Sequence, residues 1–511
     1  MSMKVFREVL QSERDYRTAN TVNHEGFPAW KREGLERLRE ILFLGHTGNT
    51  FYVNREENIK TKVRDLEVLI LDKSIPVDKI AELIVSARNE GLFRTIPILA
   101  LVLLRKRSSV VFKNIFDKVV LTGNDLKDFL DLNRVIFNGY GRAVKSAIIK
   151  WLTEKVSPFY ALKYRNQIID GIALARPPVD KMENGLLLRY VYAKRKEIDK
   201  ETVEKIFSTY PQIEYAEKFK LYVESGDIRK AIEVAEAGKL PADLMIGIAG
   251  NTNSPEFWRV VLKNMGVMQF IKYLNKLSEI IPEDVMSRLA SITPETLRRA
   301  KIFPYRLFVA WKYATSNRVK EELERILNLY EKEALIDERW RRYSWAICPD
   351  VSGSMTSGIQ DGVTPSEVAG FFSSVLAKQL QLREILAWDE RPYPIRTDEM
   401  SLFSLYKRIA KANGGGTAMN TPIDYMLRNY RELPEIVVII TDSEHWASQR
   451  GVKTAWRDYK ARNPRAKLIV IEVVGYGTSQ VDEEFAKEFD VYTVFGWSES
   501  VFKWIELKVL Q

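Results

Sequence analysis

Ser344-Trp345-Ala346-Ile347-Cys348-Pro349-Asp350-Val351-Ser352-Gly353-Ser354-Met355 decides how the C-terminal third of this chain is built. A short apolar run rises to an aspartate, and a hydroxyl-rich turn then leads through Pro365 into a helical pattern over 366–382. That is the order of a strand, a ligand loop and a helix. Two later segments bring matching oxygen groups to strand ends: Gly414-Gly415-Gly416-Thr417 opens a loop before a helix, and Ile436 to Thr441 reads as a buried strand that runs into Asp442. Carboxylate and hydroxyl oxygens suit a hard dication such as magnesium, whereas zinc or iron calls for His or Cys. Only Asp350 and Asp442 bring charge, which favours a further acidic ligand from a partner.

Around this stretch, strands are expected at 345–349, 385–388, 436–441, 468–474 and 491–495, with helices at 366–382, 422–430, 449–462, 482–489 and 499–507. The alternation predicts a mostly parallel α/β sheet covered on both faces, with ligands at the carboxyl ends of its strands. Trp345 and Trp388 are expected in its core. Upstream the pattern differs. Residues 1–28 read as a polar arm, the helical pattern starts at Trp30, and amphipathic helices then follow one another to about residue 335. Such a series cannot bury all its faces in one bundle, so stacked helix pairs in a solenoid are expected. The divisions are 1–28, 29–340 and 341–511.

The 511 residues include one cysteine, Cys348, which excludes an internal disulfide framework and a thiolate zinc cluster. No stretch approaches the roughly twenty apolar residues of a membrane span, and the first eight residues lack a signal-peptide core, so a cytoplasmic protein is expected. His24, His46 and His445 are too scattered for a histidine metal site, and His445 reads as a loop histidine rather than a base beside an ion. Residues 341–511 carry 21 Lys plus Arg against 22 Asp plus Glu, and residues 1–340 carry 57 against 46. The basic character belongs to the helical part and concentrates in 141–196, where 12 cations face 4 carboxylates. A polyanion is the natural partner of that field. Tyr160, Tyr164, Tyr190 and Tyr192 interleave with the cations and could stack on unpaired bases, although core packing is the commoner role of each.

Asp350, Ser352, Ser354, Thr417 and Asp442 match, residue by residue, the metal-ion-dependent adhesion site of a von Willebrand factor A domain, which the C-terminal part therefore resembles. A helical part followed directly by such a domain resembles the Ro autoantigen family, whose N-terminal region is the TROVE module. Residues 38–53, the Gly141-Arg142-Ala143 helix and residues 300–306 carry that likeness. The resemblance implies a mainly α protein with an α/β domain: a monomeric ring of HEAT-like helical repeats closed by the A domain. Such a ring, without catalytic activity, would hold single-stranded 3′ ends of misfolded or unprocessed noncoding RNAs in its hole and Y RNA on its outer surface. In bacterial relatives Y RNA tethers the ring to polynucleotide phosphorylase, which makes an exoribonuclease an expected partner. Lys163-Tyr164-Arg165-Asn166-Gln167 resembles the family's Lys-Tyr-Lys-Gln-Arg segment, without its last arginine, and Arg176 stands where the family has a histidine. Arg142, Lys145, Lys150, Lys163, Arg165 and Arg176 are the expected RNA contacts, and Mg2+ or Mn2+ the expected ion.

Two other function classes compete. A metal-dependent protein adaptor would use the A domain and leave the cationic segment unexplained. A magnesium-dependent phosphatase or nuclease would need an organised base or a second acid cluster, and the sequence supplies neither.

Overall fold

The computed structural model describes residues 10–510 except 12, 92, 194–197, 301, 303, 330, 332–335, 360–361, 412 and 499. Four parallel strands form the centre of the C-terminal domain, in the order β3 (Trp345–Pro349), β6 (Ile436–Thr441), β7 (Lys467–Glu472) and β9 (Val491–Phe495). Every residue of β3 and β6 is buried, as expected where helices cover both faces of a sheet. Cys348 is buried within β3, Trp388 donates its indole N–H to the Cys348 carbonyl at 2.9 Å, and Trp345 stacks on Trp340. An antiparallel hairpin of β4 (Glu384–Trp388) and β5 (Pro392–Arg396) joins the sheet through one parallel bridge between Asp350 and Trp388. The helix Pro365–Gln379 starts at a capping box: Thr364 accepts from the Glu367 N–H, and Glu367 accepts from the Thr364 N–H.

The N-terminal part is helical from Gly34–Phe43 to Asn317–Leu329. Most of these helices bury one stripe against their chain neighbours, while Thr95–Arg107 buries every residue from Ile96 to Leu104 and serves as a hub. Both ends of the series rest on the C-terminal domain. At the first end, Arg32 forms a two-pronged ion pair with Glu472 at the end of β7 and a second contact with Glu40 at 3.3 Å. At the other end, Lys312 pairs with Glu367 at 2.9 Å, and Phe308 and Trp311 pack on Tyr406 and Phe403. The helical series is therefore closed by the C-terminal domain into a ring.

Two expectations need correction. Trp30 does not start a helix: it lies in β2 (Pro28–Lys31), which pairs with β1 (Thr21–Val22) and with β8 (Thr478–Ser479) of the C-terminal domain. The described part of residues 1–28 is no free arm either. Asp15 is buried and accepts hydrogen bonds from Thr454 and Arg457, and Asn23 donates to the His445 carbonyl at 2.8 Å. Residues 1–9 lie outside the described part.

Candidate metal centre and nucleic-acid interface

The parallel register sets Pro349 against Ile440, so Asp350 and Asp442 leave adjacent strands side by side at their carboxyl ends. Asp350 is fixed by the Ser352 N–H on Oδ1 at 2.8 Å and the Thr441 hydroxyl on Oδ2 at 2.5 Å. The Ser352 and Ser354 hydroxyls lie 3.3 Å apart. The glycine-rich loop is knitted onto this turn: Asn413 and Gly414 donate to the Val351 carbonyl, and Gly353 donates to the Gly415 carbonyl at 2.9 Å. Gly414 has φ +83°, and a side chain at Gly415 would meet Asp389 Oδ2 at 2.5 Å, so glycine is required for this approach. From the third loop, Trp446 and Ala447 donate to the Thr417 carbonyl. The side chains of Asp350, Ser352, Ser354, Thr417 and Asp442 are thereby gathered, all buried, from three loops.

His445 locks the arrangement. Its Nδ1 accepts the Met419 N–H at 3.0 Å, and its Nε2 donates to the Ser448 carbonyl at 2.9 Å. Both nitrogens are occupied, so it is a loop-holding residue and no base, and burial pulls its pKa down to about 4. Burial raises the pKa of Asp350, with Asp389 adding to the effect, and raises Asp442 further through burial, the Asp350 charge and Glu444. Asp442 accepts the Glu444 N–H at 3.3 Å on Oδ1, while its Oδ2 is buried without any hydrogen-bond partner. Two carboxylates, one of them with an orphaned oxygen, and three hydroxyls form a donor set that fits a hard dication. Among the described residues no cluster of three or more His, Cys, Asp or Glu is arranged to hold a metal, which leaves this mixed set as the candidate.

The region also contains residues that sequence reasoning missed. Asp389, at the end of β4, accepts the Tyr393 hydroxyl. Glu444 is buried and accepts the His24 N–H at 2.8 Å, and His24 stacks on Tyr52. A strand-end aspartate after Ala387-Trp388 was a readable signal. The role of His24 depends on docking of the N-terminal segment and had none.

The six expected RNA contacts separate into two sets. Arg142 and Lys145 lie in the first turn of the helix Arg142–Lys155, and Arg176 caps the helix Arg165–Ala175 in a left-handed conformation at φ +50°. The two helices pack together, and these three cations are exposed with no ion-pair partner among the described residues. Lys150, Lys163 and Arg165 are engaged. Lys150 faces Asp117 at 3.6 Å, and Lys163 pairs with Asp243 at 3.0 Å. Arg165 donates to the Tyr190, Val191 and Ala193 carbonyls and lies over the Tyr190 ring. Tyr164 and Tyr190 are buried, Tyr160 bonds the Leu121 carbonyl, and Tyr192 is exposed. Lys194, Arg195 and Lys196 lie outside the described residues.

Residues 342–506 match the family model described as the Ro60 vWA domain. The chain superposes on the crystal structure of the Deinococcus radiodurans RO (RSR) protein with a TM-score of 0.65 and 19% identity, over 92% of this chain and 99% of that one. The C-terminal third is thus a von Willebrand factor A domain of the Ro60 type, it closes a helical ring with the fold of a Ro protein, and the resemblance to the Ro autoantigen family stands.

Proposed function

We propose that the protein is a non-catalytic, Ro-like RNA-binding protein of the cytoplasm, which as a single-chain ring holds single-stranded 3′ ends of misfolded or unprocessed noncoding RNAs. The observation that carries this reading is the set of exposed cations Arg142, Lys145 and Arg176, without ion-pair partners among the described residues, on adjacent helices of a closed ring with the Ro fold. Cations of this kind bind phosphate and confer little base specificity, which suits capture of many RNAs. Y RNA and an exoribonuclease belong to the same reading as further partners. Lys163 and Arg165, already engaged within the protein, contribute less than the other three.

The test is binding of a labelled RNA duplex with a free 3′ tail, against the blunt duplex, across a salt series. Tail-dependent binding is expected, and the Arg142→Ala/Lys145→Ala/Arg176→Ala variant should lower the slope of log affinity against log salt by about 2, three single-strand phosphate contacts being lost. Absence of binding to either RNA at low salt overturns the reading in favour of a metal-dependent protein adaptor.

Asp350, Ser352, Ser354, Thr417 and Asp442 would hold Mg2+ or Mn2+, directly or through water. When bound, the ion would offset the charge of Asp350 and Asp442 and would attract a carboxylate from a partner. Magnesium at a hundred times its Kd should stabilise the fold by about 2.7 kcal/mol. Asp442→Asn removes one of the two repelling charges, so its Tm in chelator should rise above that of the unsubstituted protein and respond little to magnesium. A variant that keeps the full magnesium shift argues against this ion site.

A further inference from the structure

Residues 15–32 form a strap across the C-terminal domain. Asp15 anchors one end on Thr454 and Arg457, and the hairpin of β1 and β2 turns over Glu444 and His445. β2 then pairs with β8, and Arg32 closes the strap on Glu472. The helix Gly34–Phe43, first of the ring, begins two residues later. The strap therefore fixes where the ring starts on its closing domain.

The three residues after Asp442 all reach this strap. Ser443 donates its hydroxyl to Glu472 Oε1 at 2.9 Å, and the same carboxylate receives the Arg32 guanidinium. Glu444 is buried and accepts the His24 N–H at 2.8 Å. The His445 carbonyl accepts from the Asn23 amide at 2.8 Å, and Phe27 packs edge-on against the His445 ring.

These residues also hold the other two ligand loops. The Ser443 N–H donates to the Thr441 hydroxyl at 3.0 Å, and that hydroxyl donates to Asp350 Oδ2. His445 Nδ1 accepts the Met419 N–H, two residues beyond Thr417. Ser443 stands at φ +63°, a region that few residues other than glycine adopt, so the loop has little freedom to move Asp442 without moving its neighbours. Asp350 and Asp442 repel each other while both are charged, and a dication held by both removes that repulsion. The gathered ligands and the docked strap thus belong to one arrangement.

We propose that the metal centre and the strap are one coupled unit: residues 15–32 dock more tightly when Asp350 and Asp442 hold a divalent ion, and release of the strap weakens ion binding by the same factor. Ser443, Glu444 and His445 are the positioning residues of this coupling, which presupposes that the five oxygen residues hold an ion. Ion occupancy then sets how firmly the ring is closed.

The probe is Mn2+ itself, added to the full chain. Free Mn2+ is read by electron paramagnetic resonance, and amide exchange is followed by mass spectrometry in residues 15–32 and, for comparison, in the helix Arg142–Lys155. Saturating Mn2+ is expected to slow exchange in the strap by about tenfold while leaving the comparison helix unchanged. Asp15→Ala/Asn23→Ala loosens the strap at two points and touches no ligand residue, so it should weaken Mn2+ binding by about the same factor, because linkage is reciprocal. Thr454→Val removes only one hydroxyl from Asp15 and should weaken binding less, in the same direction. Bound Mn2+ that leaves strap exchange unchanged, slowing in the strap no greater than in the comparison helix, or equal Mn2+ affinity in the double variant overturns the coupling and leaves the ion site standing. Absence of Mn2+ binding to the unsubstituted protein overturns both.

Discussion

Replacing His445 by Gln removes the acceptor for the Met419 N–H and loosens the loop that carries Thr417. It also changes the response to acid. The folded imidazole titrates at about 4 against an ordinary value of 6.5, so between those values the unfolded chain takes up a proton that the folded chain refuses. Stability contributed by the neutral ring is present above pH 6.5 and is lost as pH falls towards 4, by up to about 3 kcal/mol. Urea titrations at pH 7 and pH 4.5 should show a smaller difference for His445→Gln than for the unsubstituted protein, and an equal difference would show that His445 does not carry this term. Asp350, Ser352 and Ser354 were legible because they alternate within one turn, and Thr417 and Asp442 because they follow strands in the right order. Asp389 offered a signal as a strand-end aspartate, whereas Glu444 and His24 offered none, since their contact depends on docking of the N-terminal segment. Charge density was legible too, but its availability was not: the partner of Lys163 is Asp243, several helices away.

Thr364 illustrates how one element serves two purposes. Its side chain caps the helix Pro365–Gln379, and the reciprocal capping residue, Glu367, is also the acid that receives Lys312 from the last part of the helical series. Thr364→Ala should cost about 1 kcal/mol in global stability through the lost cap. Because Glu367 also loses its geometric support, hydrogen exchange in the helix Pro304–Tyr313 should quicken as well, and exchange unchanged there would mean that the two functions of Glu367 are independent. Long helices and buried strands declared themselves by apolar period. The short elements did not: β2 has only four residues, and the helical spacing of Leu35, Leu38, Ile41 and Leu42 just after it drew Trp30 into the wrong class. β5 contains Pro392 and Pro394, which argue against a strand in general and are tolerated here because the hairpin lies outside the central ladder.

At the scale of the whole molecule, the Arg32, Glu472 and Glu40 cluster is the joint between the start of the ring and its closing domain. Arg32→Met leaves the buried Glu472 without its cation while Glu40 keeps Arg37, a loss of about 3–5 kcal/mol for the broken buried pair. Small-angle scattering should then detect a wider particle at urea concentrations that leave the A domain folded. A variant that unfolds in one step with unchanged dimensions would assign the cluster to general stability instead of closure. The partners Arg32 and Glu472 are separated by 440 residues of sequence. On the ribosome, β2 and Arg32 emerge long before β8 and Glu472, so the helical part exists first as an open spring with its seat for the A domain vacant. Closure is a late event in biosynthesis, and a translation product halted before residue 472 would be a ring with a gap, into which a polymer could slip sideways without being threaded by its end.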